Sequence, residues 1–267
     1  MAVKFKFKDN YVFADLVEIV KILREPGGCP WDMEQTHQSI RENFLEETYE
    51  VIEAIDTLNP ELMQEELGDV LLQVVMHADM ARDEGWFDID NVANDICKKL
   101  IIRHPHVFGD VTVNSTGDVL KNWDDIKRST KKQRTQSEAM AAIPAVYPAL
   151  MKAQKVQEKA KKAGFDWRDS EGAFLKIGEE SAELKEAIEC GEHSRVEDEL
   201  GDLLFSVVNV ARFCECEAET ALDKATKKFM ARYTVTEALA KEKGIDMKSA
   251  PIEVLDELWA EAKKTNK

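Results

Sequence analysis

Apolar residues return every three or four positions along most of this chain, the period of a helix with one buried face. Between Phe44 and Leu58 they fall at Leu45, Tyr49, Val51, Ile52 and Ile55; Asn59-Pro60 interrupts, and Leu62, Leu67, Val70, Leu71 and Val74 resume the pattern over Glu61 to Arg82. The spacing predicts a helix, a turn and a longer helix. A second pair follows the same plan. Phe174 to Glu189 precedes a break at Cys190-Gly191, and Val196 to Cys214 returns with Val196, Leu200, Leu203, Leu204, Val207 and Val208. Only 12 glycines and 7 prolines punctuate 267 residues, of which 33% are charged and 44% apolar, so an all-α fold is expected and a turn-rich β fold is excluded.

The two pairs are copies. Glu46, Glu47, Glu50, Glu66 and Asp69 recur as Glu179, Glu180, Glu183, Glu199 and Asp202, each displaced by 133 residues. The same offset relates Glu53-Ala54-Ile55 to Glu186-Ala187-Ile188, Leu67-Gly68-Asp69 to Leu200-Gly201-Asp202, and Val74-Val75 to Val207-Val208. Apolar and glycine positions repeat with the acids, which an abundance of glutamate does not explain.

Between the copies, Arg103-His104-Pro105-His106 and Phe108-Gly109-Asp110 read as a helix end and a turn, followed by a loop at Asn114-Ser115-Thr116-Gly117. Ala139 to Met151 lacks charge but carries Pro144 and Pro148, so it reads as a connector or the start of a packed helix. A last short helix is expected after Ser249-Ala250-Pro251, through Glu253, Leu255, Leu258 and Trp259. These breaks divide the chain into an N-terminal helical module over 1–110, a linker with a basic segment over 111–150, and a C-terminal helical module over 151–267.

Acidic residues outnumber basic ones by 52 to 36, for a net charge of −16. That field repels nucleic-acid backbones and anionic lipid, and obliges any nucleotide to find a local cation. The basic segment Lys121, Lys127, Arg128, Lys131, Lys132 and Arg134 around Trp123 is too small a patch to reverse it. The first twenty residues have no apolar signal core, and the longest strongly apolar stretch, Leu203 to Ala211, falls short of the ~20 residues that span a bilayer. Five scattered cysteines form neither a disulfide framework nor a zinc site and fit a reducing cytoplasm.

The acids carry the candidate chemistry. Residues three apart share a helix face, so Glu47 with Glu50, Glu66 with Asp69, Glu180 with Glu183 and Glu199 with Asp202 form pairs. Antiparallel packing of the hairpin sets the pairs opposite one another, where like charges repel unless a cation joins them. Oxygen donors without histidine or thiolate favour Mg²⁺, with Mn²⁺ as a substitute. Each hairpin is followed by a basic helix: Lys98, Lys99 and Arg103 after the first, Lys227, Lys228 and Arg232 after the second. Such a face can hold outer oxygens of a polyphosphate. The tryptophans of Cys29-Pro30-Trp31-Asp32 and Gly164-Phe165-Asp166-Trp167 can pack or stack on a base. His104 and His106, without a partner cluster, read as a helix end rather than a metal site.

The duplicated E-E-x-x-E and E-x-x-D motifs, with Cys29-Pro30-Trp31-Asp32, Gln35-Thr36-His37, Arg103-His104-Pro105-His106-Val107-Phe108, Asn122-Trp123 and Gly164-Phe165-Asp166-Trp167, resemble the MazG family. These are nucleoside triphosphate pyrophosphohydrolases of the all-α NTP pyrophosphatase superfamily. The resemblance implies two tandem helical MazG-type modules assembled as a homodimer. It implies Mg²⁺-dependent hydrolysis of nucleoside triphosphates, ATP among them, to monophosphate and pyrophosphate, with broad base specificity and a role in clearing aberrant nucleotides.

By the same resemblance, metal binding falls to Glu180, Glu183, Glu199 and Asp202, with Glu47, Glu50, Glu66 and Asp69 retained in the first copy. Catalysis falls to Glu179, Glu180 and Glu183, Glu179 as the base or water-positioning group. Nucleotide contacts fall to Lys127, to Lys176, Ile177, Gly178, Glu179 and Glu180, to Arg195, Val196, Glu197, Asp198 and Asp202, to Lys228, Phe229, Met230, Ala231 and Arg232, and to Trp259. Gly178 departs from the bulkier residue common there, and the second module is the expected seat of catalysis. Two other classes stay open: a ferritin-like di-iron protein, which normally supplies E-x-x-H where this chain has E-x-x-D, and a non-enzymatic acidic helical scaffold.

Overall fold

A computed structural model describes residues 5–112, 115, 117, 119, 123, 126 and 135–265, and among these the regular structure is helical throughout. The chain divides into two units, Met1–Lys127 and Arg128–Lys267. No helix among the described residues is long and apolar enough to cross a membrane.

The first unit contains α1 (Phe13–Arg24), α2 (Pro30–Glu34), α3 (Arg41–Asp56), α4 (Pro60–Asp83), α5 (Ile89–Arg103) and α6 (Pro105–Phe108). Helices α3 and α4 are the predicted hairpin. Its turn is made by Asn59, whose side chain accepts from the Leu62 N–H at 3.1 Å, while Pro60 opens α4 at the position where a missing N–H costs no helical bond. Val20, Ile40, Val75, Met76 and Met80 form the core of this unit, covered by Leu16, Val17, Leu72 and Ile89. At its edge, the Arg24 guanidinium is nearly buried and pairs with the buried Asp79 at 3.0 Å. His37 and His77 meet through their Nδ1 atoms at 2.7 Å, and the Trp86 ring stacks parallel on His37.

The second unit contains α7 (Gln136–Ala141), α8 (Ala149–Lys162), α9 (Ser170–Cys190), α10 (His193–Phe213), α11 (Ala218–Glu242) and α12 (Ile252–Thr265). Helices α9 and α10 are the second hairpin. Asp169 caps α9 by accepting from Glu171 N and Gly172 N, and Gly191 ends it at φ 73°, a left-handed conformation that glycine adopts without strain. Helix α8 packs along α10 and touches α11, and α12 packs on α11. Gln154 joins α8 to the start of α11: its amide N–H donates to Cys216 O at 3.2 Å and its oxygen accepts from Ala218 N at 2.9 Å. Helix α7 and the first turn of α8 occupy part of the stretch expected as linker, with α7 packed on α8.

The repeat persists in the packing. Ala54 and Ala187, 133 residues apart, are both fully buried in their hairpins, where a small side chain lets the helices approach closely. Val75 and Val208 are likewise sealed.

Arg24→Ala leaves Asp79 buried with only Arg82 as partner. This loss is expected to lower the unfolding free energy of the first unit by about 3 kcal/mol. Lys21→Ala, at the exposed pair with Glu25, should cost under about 0.5 kcal/mol. Urea denaturation of the two variants checks the contrast.

Candidate active site

Each hairpin brings three acids together. Glu47 from α3 meets Glu66 and Asp69 from α4, and Glu180 from α9 meets Glu199 and Asp202 from α10. Within each trio one oxygen per residue lies within 4.8 Å of the others, close enough to converge on one cation. The fourth acid of each predicted set stands beside its trio. Glu50 is within hydrogen-bonding reach of both Glu47 and Glu66, and Glu183 feels the charges of Glu180 and Glu199. The acids are less enclosed than the apolar neighbours in the sequence suggest. Glu66 and Glu180 are buried, but Glu50 and Asp202 are exposed, because the hairpin covers one side of each cluster and leaves the other open.

Electrostatics registers the crowding. Burial, then the charges of Asp69 and Glu50, hold the Glu47 carboxyl above the ordinary glutamate range. Glu66 is raised by burial and by Glu50, and Glu183 by burial, Glu180 and Glu199. Hard oxygen donors that destabilise one another's charge suit a hard divalent cation.

A basic residue answers the second cluster. The Lys176 ammonium reaches Glu179 and Glu180, each at 2.7 Å, and these two carboxylates hold it well above the ordinary lysine range. The corresponding residue of the first hairpin is Asn43, which carries no charge. Arg195, in the first turn of α10, spans Glu186 at 3.2 Å and Glu199 at 3.6 Å.

A cavity of about 760 Å³ opens beside the second cluster, between α8, α9, α10 and the loop before α9. Lys176, Glu180 and Asp202 line one end; Gln157, Trp167, Phe205, Ser206, Asn209 and Arg212 line much of the rest. Arg212 is held by Asp166 at 3.1 Å and by the Asn209 side-chain oxygen. Of the residues expected to touch nucleotide, only Lys176, Glu180 and Asp202 border this cavity. Glu179 is exposed, Ile177 is half-buried, and Gly178 has open space where a Cβ would stand. Val196 is half-buried beside the exposed Glu197 and Asp198.

On α11, Lys228, Phe229, Met230 and Ala231 are exposed, and Phe229 meets Trp259 of α12 with ring centroids 5.0 Å apart. Arg232 is half-buried with an unpartnered Nε. Lys127, with most of the basic segment around it, lies outside the described residues. Sequence reasoning missed Gln157 and Asn209, whose one available signal is a polar residue on the apolar face of a helix.

A carboxyl raised in the folded state makes that state bind protons that the unfolded chain has released. Without metal, stability therefore falls as pH rises just above the ordinary glutamate range. Glu66→Gln abolishes this contribution, so in chelator its melting temperature should gain on wild type between about pH 4 and about pH 7. With saturating Mg²⁺ the order should reverse. Thermal melts in both conditions check it.

Comparison with known proteins agrees with this geometry. The MazG nucleotide pyrophosphohydrolase domain matches residues 35–108 and 169–250, segments that contain the two acid clusters. Over 252 residues the chain is 49% identical to the nucleoside triphosphate pyrophosphohydrolase/pyrophosphatase MazG of Thermotoga maritima, a match that covers 94% of this chain and 96% of that protein. It is 40% identical over 254 residues to the nucleoside triphosphate pyrophosphohydrolase of Escherichia coli (strain K12), covering 93% and 96%.

Proposed function

The chain belongs to the MazG nucleotide pyrophosphohydrolase family, and on that premise we propose that it is a nucleoside triphosphate pyrophosphohydrolase whose working site is the second acid cluster. The observation that carries the choice is the convergence of Glu180, Glu199 and Asp202 at the mouth of a cavity that also holds Lys176. The first cluster has the acids without the lysine.

In this reading Glu180, Glu199 and Asp202, with Glu183 beside them, hold Mg²⁺, for which Mn²⁺ substitutes. The bound cation supplies positive charge where the crowded phosphate oxygens gain negative charge. Lys176 exchanges its carboxylate partners for a phosphate oxygen, so the substrate is met by a cation already at the site. Glu179, released from Lys176, accepts a hydrogen bond from the water that attacks the α-phosphorus and receives its proton. The products are a nucleoside monophosphate and pyrophosphate. Lys228 to Arg232, Trp259 and Lys127 belong to the nucleotide side of the site.

The exposed apolar faces of α3 (Leu45, Tyr49, Ile52, Ile55) and α10 (Leu200, Leu204, Val207) support assembly with a second copy of the chain. Five free cysteines suit the reducing cytoplasm. The di-iron alternative gains nothing, since neither candidate metal cluster among the described residues includes histidine.

Incubation of nucleoside triphosphates with enzyme and Mg²⁺ is expected to release pyrophosphate and monophosphate; release of orthophosphate and diphosphate contradicts the reading. Glu183→Ala should lower kcat by about 100-fold or more. It should also lose more activity than Glu50→Ala, and the opposite ranking would move catalysis to the first unit.

A further inference from the structure

The cavity beside Glu180 contains a polar pair that metal and phosphate chemistry leaves unused. Gln157 is only 6% exposed and lines the cavity. Its amide N–H donates to Phe205 O at 2.8 Å, which fixes the orientation of the carboxamide and leaves its oxygen as a buried acceptor with no partner. Asn209, one turn further along α10 than Phe205, is oriented the other way. Its oxygen accepts from Arg212 at 3.1 Å and 2.7 Å, and Arg212 is itself clamped by Asp166, so the Asn209 NH₂ remains to donate. The cavity thus offers a fixed acceptor and a fixed donor.

An aromatic wall stands nearby. Trp167 is seated against Gly172, where a Cβ would meet ring carbons at 3.0 and 3.3 Å, so the absence of a side chain there makes room for the indole. Phe205 also lines the cavity. The volume of about 760 Å³ is typical of small-ligand pockets, and the polar lining groups are few and oriented. In the first unit the residues corresponding to Asn209 and Arg212 are Met76, buried in the apolar core, and Asp79, paired with Arg24.

We propose that this cavity takes the base of the substrate, and that Gln157 and Asn209 select an edge with an exocyclic amino group beside a ring nitrogen, as in cytosine and adenine, over the keto edge of uracil and hypoxanthine. The proposal rests on the pyrophosphohydrolase reading, which puts the triphosphate at Glu180 and Asp202 and hence the base within the same cavity. The exocyclic amino group extends furthest from the ring and satisfies the deep Gln157 oxygen; the adjacent ring nitrogen accepts from Asn209. A keto oxygen placed there faces an oxygen and leaves both unpaired, the circumstance in which a polar site discriminates most.

The test compares kcat/KM for CTP with UTP and for ATP with ITP, pairs that differ only at this edge, with pyrophosphate as the measured product. The amino-bearing member of each pair is expected to be favoured by about tenfold. In Gln157→Leu the CTP to UTP ratio should fall to within about twofold of one, since one partner of the pair is gone. Asn209→Ala should shrink the ratio as well, and calorimetric binding of CMP against UMP reads the same preference without turnover. Equal or keto-favouring ratios in the wild type overturn the proposal, as does an unchanged ratio in a folded Gln157→Leu. Pyrophosphate released equally from all four substrates sinks the base assignment alone; no pyrophosphate from any of them sinks the pyrophosphohydrolase reading with it.

Discussion

Carboxylates held a few ångströms apart repel, and the structure keeps two such groups in place by packing other residues tightly around them. In each unit the hairpin does this work. A helix fixes which acids share a face, and the close approach permitted by Ala54 or Ala187 fixes how near the opposing helix brings its own. The raised Glu47, Glu66 and Glu183 record the electrostatic cost of that arrangement, which a divalent cation turns into an attraction. The rest of the molecule can be understood as what surrounds this constraint and what it gains from it.

The two copies resolve the constraint differently. In the second, Lys176 bridges Glu179 and Glu180 and stands at a cavity edged by Gln157, Asn209 and Arg212. In the first, Asn43 replaces the lysine, Met76 lies in the apolar core, and Asp79 pairs with Arg24. The acids are the same in kind and number. What differs is the ground beside them: packed side chains and a self-contained ion pair in one unit, an open space with unsatisfied polar groups in the other.

The hairpins and the acids were legible from the chain alone because both follow from local spacing. Asn59-Pro60 and Gly191 mark the turns, and the offset of 133 residues links the copies without a gap. The finer division of each acid set was not legible: i, i+3 spacing makes Glu180 and Glu183 equal neighbours, and only the register of α9 on α10 gathers Glu180 more tightly with Glu199 and Asp202. The cavity was out of reach for a similar reason. Gln157 and Asn209 are ordinary helix residues until α8 is docked on α10 and their hydrogen-bonding partners leave one oxygen and one NH₂ unclaimed. Tertiary juxtaposition has no signature in periodicity.

The central claim, that the second trio of acids holds the cation that meets the substrate phosphates, is tested most directly by anomalous diffraction from crystals grown with Mn²⁺ and a triphosphate analogue that resists cleavage at the α phosphate. The account predicts manganese peaks between Glu180, Glu199 and Asp202, in contact with phosphate oxygens and with the base directed toward Gln157. Manganese confined to other carboxylates, with the analogue bound away from this trio, would contradict it.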